Sequence, residues 1–223
     1  MNEYKRLGDY IREVNARNRD LKVTNLVGLT IEKAFIPSVA NVIGTDLSTY
    51  KVIRKEQFAC SLMQVSRDGK MPIAMFEDDA AIMSPAYPMF EVIDKSKLMP
   101  QYLMMWFSRS EFDREASFFA VGGGLGSMPW EEFAKLQLPV PDIEVQKEIV
   151  SSYRAITDRI ALKKQINDNL EVTLDEVKKS IDAARSNFNN VTDPDSIDYY
   201  TYILKAYQVR HDMLIRQLKA IMA

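Results

Sequence analysis

Apolar runs in the first hundred residues are short and are bounded by turn-forming residues, a pattern that predicts β-strands. The predicted strands cover residues 25–31, 50–56, 58–65, 72–76 and 89–93. Arg67-Asp68-Gly69-Lys70 separates the third run from the fourth. Asp-Gly favours a type I′ turn because both central residues of that turn need a positive φ. The pattern therefore predicts a β-hairpin whose tip carries two cations.

Helical patterns follow the strands. Pro100 opens a predicted helix over residues 101–116, which places Leu103, Trp106 and Phe107 on one face. A glycine-rich segment at 122–126 precedes a short predicted helix with Pro129 near its first position. Mixed strands and helices predict an α+β fold, with a globular domain over residues 1–143.

The sequence pattern changes after Pro141 from short mixed elements to one long helical stretch, because residues 143–192 contain neither proline nor glycine. A helix over residues 144–185 would be roughly 60 Å long. One stripe of this helix steps by alternating fours and threes, and nine of its eleven members are apolar or aromatic. The stripe is Ile149, Tyr153, Ile156, Ile160, Lys163, Asn167, Leu170, Leu174, Val177, Ile181 and Ala184. A domain of this size cannot bury so long a stripe, so residues 144–186 are predicted to be a coiled-coil spacer that forms an antiparallel homodimer through this seam.

Two features of this helical part allow alternatives. Asn167 either fixes the register of the coiled coil, or marks a stutter at which Leu162 and Ile166 take over the seam. The predicted C-terminal extension, residues 187–223, contains a second helix over about 196–221. This helix either folds back on the first or joins a neighbouring chain.

Cysteine and histidine usage excludes several classes of site. The 223 residues include one cysteine, Cys60, and one histidine, His211. They cannot form a disulfide framework, a zinc cluster, or a Cys/His or Ser/His/Asp catalytic group with a plausible partner. The start of the chain has no apolar signal core, and no stretch reaches the roughly 18 apolar residues of a membrane span. These features predict a cytoplasmic protein with no metal site and no membrane association.

The net charge of −2 conceals an uneven distribution. Residues 1–70 contain more Lys and Arg than Asp and Glu, whereas residues 71–143 contain five basic and eleven acidic residues. A basic segment can face an anion such as DNA, although uneven charge also arises by chance on a solvated surface.

Three motifs are similar to catalytic or phosphate-binding motifs. Ser84-Pro85-Ala86-Tyr87 is similar to the loop with which amino-methyltransferases hold a flipped base, but it lacks the second proline and is interpreted as a structural turn. Pro141-Asp142 and Glu176-Val177-Lys178 match a loose nuclease signature, but they lie on the order of 50 Å apart on one predicted helix and cannot share an ion. The 122–126 loop could hold a phosphate, although a flexible turn is the simpler interpretation.

Several loose motifs, in a fixed order, resemble the DNA specificity subunit of type I restriction–modification systems. The segments that carry the resemblance are residues 7–10, 43–53, 57–59, 65–74, 82–87, 126–133 and 138–150. The last begins with Leu138-Pro139-Val140-Pro141-Asp142 and leads into the long helix. Together they cover about residues 1–185.

The resemblance implies a non-catalytic subunit that contacts double-stranded DNA. A target-recognition domain would read one half of a split site, and the long helix would be a spacer and the platform for methyltransferase subunits. Restriction subunits would be further partners. S-adenosylmethionine, ATP and Mg would be bound in those partner subunits, and none in this chain. Family members usually carry two recognition domains and two such helices, so this chain resembles a half-length form that a second copy would complete.

Candidate DNA-binding residues come from the basic segment and from the glycine-rich loop. They are Arg17, Asn18, Arg19, Thr45, Arg67, Lys70, Gly124 and Ser127. Arg can pair bidentately with guanine, and Asn with adenine. Two other functions stay open at this point: an enzyme in its own right, and a coiled-coil interaction module or orphan half-subunit that regulates such a complex.

Overall fold

The computed structural model describes residues 4–40, 42–63, 65–120 and 127–222, with the side chains of residues 66, 67 and 222 left aside. The chain has two compact units, Met1–Ser151 and Ser152–Ala223. Strands and helices are mixed in the first unit, and the second is helical. The predicted α+β class is therefore confirmed. Among the described residues, no helix combines the length and apolar character needed to cross a membrane.

The elements of the first unit are short. Its strands are β1 Tyr4–Arg6, β2 Ile11–Glu13, β3 Val27–Leu29, β4 Phe35–Pro37, β5 Lys51–Arg54, β6 Phe58–Cys60, β7 Ile73–Met75, β8 Ala80–Met83, β9 Met89–Val92 and β10 Gln137–Pro139. Its helices are α1 Val65–Asp68, α2 Pro100–Phe107, α3 Ser110–Ala120 and α4 Trp130–Lys135, followed by the start of α5 Ile143–Asn189. All five predicted strands are present in shortened form.

The central sheet is antiparallel and has the strand order β2-β9-β6-β7. Three antiparallel pairs surround it: β5 with β8, β3 with β4, and β1 with β10. The pair of β1 and β10 joins the start of the domain to the segment before α5, so the unit is closed by its own ends.

Phenylalanines dominate the core between the central sheet and helices α2 to α4. The rings of Phe58 and Phe90 stack at 5.0 Å on neighbouring strands, and Phe107 and Phe133 pack against them from α2 and α4. All four side chains are completely buried or nearly so. Offset and edge-to-face aromatic pairs add to the stabilisation from buried area. Gly8 allows the chain to pass this close to α4, because a Cβ there would lie 3.0 Å from the carbonyl oxygen of Ala134.

The first turns of α5 are anchored in the core of the first unit. Gln146 is fully buried and uses both ends of its amide. Its Oε1 accepts from the backbone N–H of Met99 at 2.9 Å, and its Nε2 donates to the carbonyl oxygens of Lys97 and Pro141, each at 2.8 Å. Val150 packs in the same core one turn later. A buried polar group satisfied in this way fixes where the helix begins.

Two sequence expectations for the first unit are wrong. Residues 67–70 do not form a type I′ hairpin turn: strands β6 and β7 do pair, but residues 61–72 connect them and include the helical turn α1. Val65 is fully buried, which draws this segment into the core, and Gly69 ends the turn with φ of +64°. The helix predicted over 101–116 is interrupted at Ser108, so that Phe107 and Phe112 can both face the core with their rings 4.9 Å apart.

The second unit is a helical hairpin. Helix α5 continues to Asn189, and α6 Pro194–Met222 folds back along it. Leu174 and Val177 of α5 and Leu214 of α6 are buried together, with partly buried residues packed around them. Those neighbours are Leu170, Ile181, Ile215 and Leu218. Of the two alternatives left open for the second helix, the structure shows that it folds back on the first and covers this part of the seam.

The remaining seam positions differ in their surroundings. Ile149, Tyr153, Ile156 and Ile160 are exposed on α5. Asn167 donates from Nδ2 to Glu171 at 3.0 Å, whereas its buried Oδ1 has no hydrogen-bond partner among the described residues. Dimerisation through these positions stays a prediction.

Candidate DNA interface

The loops of the first unit divide between two ends of the central sheet. Strands β2 and β6 end, and β7 and β9 begin, at the same end, as their antiparallel pairing requires. Strand β5 begins and β8 ends there as well, because Lys51 Nζ donates to the carbonyl oxygen of Tyr87 at 2.7 Å. The connections 14–25, 38–50, 61–72 and 84–88 therefore meet at this end, which we call the loop end.

Backbone hydrogen bonds hold two of these loops together. The N–H of Asn18 donates to the carbonyl oxygen of Tyr50 at 3.0 Å, and that of Val52 donates to Ala16 at 2.8 Å. Arg17 Nη1 donates to the carbonyl oxygen of Thr49 at 2.6 Å. Arg17 also lies beside Lys51: burial and then repulsion from the Arg17 cation lower the pKa of the Lys51 amine. The loop end thus brings Arg17 next to a cation that the sequence analysis did not select.

Asn18 has a structural role that the sequence analysis missed. Its side chain is 1% exposed. Nδ2 donates to the carbonyl oxygen of Val23 at 2.9 Å, and Oδ1 accepts from the backbone N–H of Val23 at 3.3 Å. Both functions of the amide are occupied in closing the 18–23 loop, so the prediction that Asn18 reads adenine is withdrawn. The neighbouring Arg19 is exposed.

The other predicted residues divide between the loop end and the part of the chain outside the description. Thr45 is exposed in the 38–50 loop, and Lys70 is exposed in the 61–72 loop. The backbone of Arg67 lies in α1 of the same loop. Ser127 adjoins this loop, because the N–H of Met128 donates to the carbonyl oxygen of Leu62 at 2.8 Å. Gly124 lies outside the described residues.

Ser84-Pro85-Ala86-Tyr87 also lies at the loop end, as the connection from β8 to β9. The N–H of Tyr87 donates to the carbonyl oxygen of Ser84 at 3.3 Å, and the N–H of Ala86 donates to Ser84 Oγ at 3.3 Å. These bonds are those of a serine-initiated turn. The interpretation of this motif as a structural turn is confirmed.

The two ends of the sheet carry opposite charge. Counted along the sequence, the four loops of the loop end and Lys51 contain six basic and three acidic residues. The connections at the opposite end, residues 55–57, 76–79 and 93–99, contain three basic and five acidic residues. Both ends contain exposed ion pairs: Lys22 with Asp20 at the loop end, and Lys95 with Glu56 and Lys97 with Asp94 at the opposite end. Of these two ends, the loop end carries the net positive charge that a phosphate backbone attracts.

Apolar side chains are exposed among the cations of the loop end. They are Leu21, Val39, Ile43 and Met63. An exposed apolar side chain beside cations can contact a thymine methyl group or enter a minor groove, where it adds sequence or shape dependence to phosphate contacts. The loop end therefore offers both kinds of contact.

A buried ion pair supports the 61–72 loop from behind. Lys33, at the tip of the β3–β4 hairpin with φ of +63°, contacts Asp113 Oδ1 at 2.8 Å. Asp113 Oδ1 also accepts from the backbone N–H of Met71 at 3.1 Å. Burial lowers the pKa of the Lys33 amine, while the bond to Asp113 opposes that shift. The pair ties the hairpin tip and helix α3 to the residue that follows Lys70.

The described residues contain no group of three or more His, Cys, Asp or Glu side chains arranged to hold a metal ion. Cys60 is fully buried, and burial raises the pKa of its thiol, so the thiol is poorly suited to nucleophilic chemistry.

A family model and two solved structures are similar to this chain. The model of the type I restriction modification DNA specificity domain matches residues 48–172. No curated protein matches the chain. Two solved structures are similar at low identity: "Crystal structure of HsdS subunit from Thermoanaerobacter tengcongensis" (15% identity, TM-score 0.48, 78% of this chain and 48% of that chain), and a chain from "Structural basis underlying complex assembly and conformational transition of the type I R-M system" (12% identity, TM-score 0.48, 95% and 45%).

The chain spans about half the length of these two solved chains. The family match covers more than half of the chain, and it includes the 61–72 and 84–88 loops, the α2–α4 core and the first part of α5. The family is one of DNA recognition and not of catalysis. This chain therefore belongs to the family of type I restriction–modification DNA specificity domains.

Proposed function

We propose that the loop end is the surface with which this chain reads DNA. The observation that supports this proposal is the meeting of four loops, with an excess of basic residues, at one end of a rigid sheet. Arg17, Arg19, Lys51 and Lys70 supply cations for phosphates, which provide most of the affinity and little of the sequence information. Arg67 and the exposed apolar side chains are the candidates for base contacts.

The chain supplies recognition, and catalysis belongs to its partners. It reads one half of a two-part target and holds adenine methyltransferase and restriction subunits, which bind S-adenosylmethionine, ATP and Mg. A second copy joins through the long helix and supplies the other half of the target. A two-fold dimer of this kind would recognise an interrupted palindrome, since the symmetry of a site mirrors that of the protein that binds it. The complex would act in the cytoplasm.

Binding across a salt series tests the DNA surface. The sample is the chain co-purified with its methyltransferase subunit, and the duplex carries the target identified by methylome sequencing of the host. Lys70→Ala should weaken binding to cognate and scrambled duplexes alike and flatten the salt dependence by about one unit of slope. Arg67→Ala should cost roughly 1–3 kcal/mol on the cognate duplex and relax preference at one position.

Lys97→Ala is the matched control, because Lys97 is exposed at the opposite end of the sheet. This variant should keep the affinity, the salt slope and the sequence preference of the wild type. If Lys97→Ala and Lys70→Ala have equal effects, or if neither loop-end variant changes binding, the loop end is not the DNA surface.

Co-purification tests whether a partner subunit, and not this chain, catalyses methylation. The tagged chain should retain an adenine methyltransferase from the native host, and specific methylation should require both proteins. Methylation of DNA by this chain alone would contradict a non-catalytic role.

A further inference from the structure

Helix α6 carries a second apolar face that is exposed in the described part of the chain. Residues 199, 202, 206, 209 and 213 step by alternating threes and fours, the spacing of a coiled-coil seam. Tyr202 is 76% exposed and Val209 is 65% exposed, although both lie on a helix whose opposite face packs on α5. We call Tyr199, Tyr202, Ala206, Val209 and Met213 the α6 outer seam.

Helix α5 carries a matching face before the part that α6 covers. Tyr153, Ile156 and Ile160 follow the same spacing, and the two isoleucines are 60% and 61% exposed. We call these three residues the α5 open seam. Stable coiled coils bury the positions of a heptad seam. Two exposed seams with this spacing on one unit therefore indicate an interaction surface.

We propose that the α5 open seam of one copy packs on the α6 outer seam of a second copy, and the reverse, so that two hairpins close into a four-helix bundle. This inference rests on the homodimer of the proposed function and assigns its second half to α6. Because α6 folds back along α5, antiparallel α5 helices in the dimer place each α5 parallel to the α6 of the other copy.

Shape favours one register. Ala206 is the small member of the outer seam, and together with Tyr202, Lys205 and Val209 it lines a shallow groove of about 360 Å³. Placing Tyr153 over Ala206 inserts the largest side chain of the open seam into this groove. The same register sets Ile156 against Val209 and Ile160 against Met213, a knobs-into-holes arrangement.

Charge selects the same register. With Tyr153 level with Ala206, Lys164 of one copy lies opposite Asp212 of the other, at the flanking positions that form interhelical ion pairs. A shift of one heptad, to Tyr153 over Tyr199, would instead oppose Lys164 with Lys205 and Arg159 with Arg210. Like-charge pairs at these positions are destabilising, so this neighbouring register is disfavoured.

The two-fold axis of this bundle falls near an unsatisfied polar atom. Ala206 lies beside the 178–185 part of α5, where Ile181 and Arg185 share a cleft with Gln208. The midpoint between that part and Tyr153 is close to Asn167. The buried Oδ1 of Asn167 has no hydrogen-bond partner among the described residues. A second copy would bring its own Asn167 amide to this level, where paired asparagines can satisfy each other and fix the register.

Disulfide trapping of the full-length chain tests the register. In the variant carrying Tyr153→Cys and Ala206→Cys, the two introduced thiols are about 40 Å apart within one chain, from the rise of an α-helix. They can bond only between copies, within the 4.4–6.8 Å Cα separation of a disulfide. Mild oxidation should therefore give a covalent dimer. The matched control replaces Tyr153→Cys with Ala155→Cys, on a different face of α5, and should stay uncross-linked. The native Cys60 is buried and does not interfere.

Sedimentation equilibrium supplies a second measurement that does not depend on thiols. Lys164→Asp should raise the dimer dissociation constant about tenfold or less, as an exposed pair allows, and Asp212→Lys should do the same. The two changes combined should restore the wild-type value, with the helical circular dichroism of all variants unchanged. Val209→Glu should abolish the dimer.

The outcomes separate this inference from the proposal on which it rests. A wild-type dimer that neither cross-links through residues 153 and 206 nor responds to Val209→Glu would overturn the role of α6 and leave the dimer itself intact. A wild-type chain that is a monomer at high micromolar concentration would overturn both.

Discussion

Replacing Asn18 with alanine separates a structural role from a base-reading role at the loop end. The side chain is buried, and its amide forms two hydrogen bonds with the backbone of Val23. They close a loop in which Leu21 has a φ of +55° and its N–H donates to the carbonyl oxygen of Asn18 at 3.0 Å. The substitution removes both amide bonds and leaves the two backbone groups of Val23 without their partner.

The expected loss of stability follows from these contacts. Each hydrogen bond contributes about 1 kcal/mol, and a buried group left unpaired costs about 1–3 kcal/mol. Val23 is half-buried, so water can replace part of what is lost. We therefore expect Asn18→Ala to lower the free energy of unfolding by about 2–3 kcal/mol. Urea denaturation followed by tryptophan fluorescence measures this change.

The effect on DNA should be general. The Asn18 loop positions Arg17 and Arg19, so its loosening should weaken binding to cognate and scrambled duplexes by the same factor. Asn15→Ala is the matched control, because Asn15 is an exposed asparagine in the same loop. An Asn18→Ala variant with wild-type stability and a loss of preference at a single base pair would refute this reasoning and restore the base-reading role.

Three other substitutions test further features. Asp113→Ala should destabilise the fold by about 3–5 kcal/mol because it leaves the buried Lys33 cation without its counter-ion. Lys33→Met with Asp113→Leu should cost less, because it removes both charges and loses mainly the hydrogen bonds to Met71 and Phe107; equal losses in urea denaturation would contradict this. The hydrogen bond from Gln57 lowers the pKa of the Glu91 carboxyl in the folded state. Glu91 therefore stabilises the fold at a pH above its ordinary pKa of 4.5, and this stabilisation is lost as the pH falls through the lowered pKa of the folded state. Glu91→Gln should flatten the acid limb of stability against pH, and an unchanged limb would exclude this role. Leu174→Glu should lower helicity at 222 nm at every protein concentration, because it breaks the contact between α5 and α6; a loss only at low concentration would place Leu174 between copies.

Sequence patterns predicted the elements that local chemistry determines. The five predicted strands are rich in β-branched and aromatic residues between turn residues, and the structure contains all five. The long helix is found within a few residues of its predicted ends, since no proline or glycine interrupts it. Two of the strands that the patterns do not predict, β1 and β10, are three residues long and are held by pairing between distant parts of the chain. No local pattern reports such pairing.

The candidate site was predicted in part for the same reason. Arg17, Arg19 and Lys70 were selected because they are cations in turn-rich segments, and the sheet topology brings their loops to one end. The prediction that Asn18 contacts DNA rests on residue type alone. In the structure Asn18 is buried, and its amide closes the 18–23 loop. Lys51 begins a strand and so does not stand out as a loop cation; its pairing with Arg17 and its bond to the carbonyl oxygen of Tyr87 place it at the loop end. Asp68-Gly69 alone predicts a hairpin turn. The burial of Val65, which draws this segment into the core, depends on tertiary contacts that the four residues 67–70 do not report.

The unequal charge of the two sheet ends gives the first unit an electric dipole along its strands. A polyanion exerts a torque on such a dipole, which turns the basic end forward and the acidic end away before any contact forms. At physiological ionic strength the Debye length is about 8 Å, so this turning acts only over the last nanometre of approach. Added salt would then reduce the fraction of productive encounters as well as the affinity of the final complex. Replacing the three acidic residues 77–79 with basic residues would slow association with DNA, even though these residues lie at the end of the sheet opposite the proposed DNA surface.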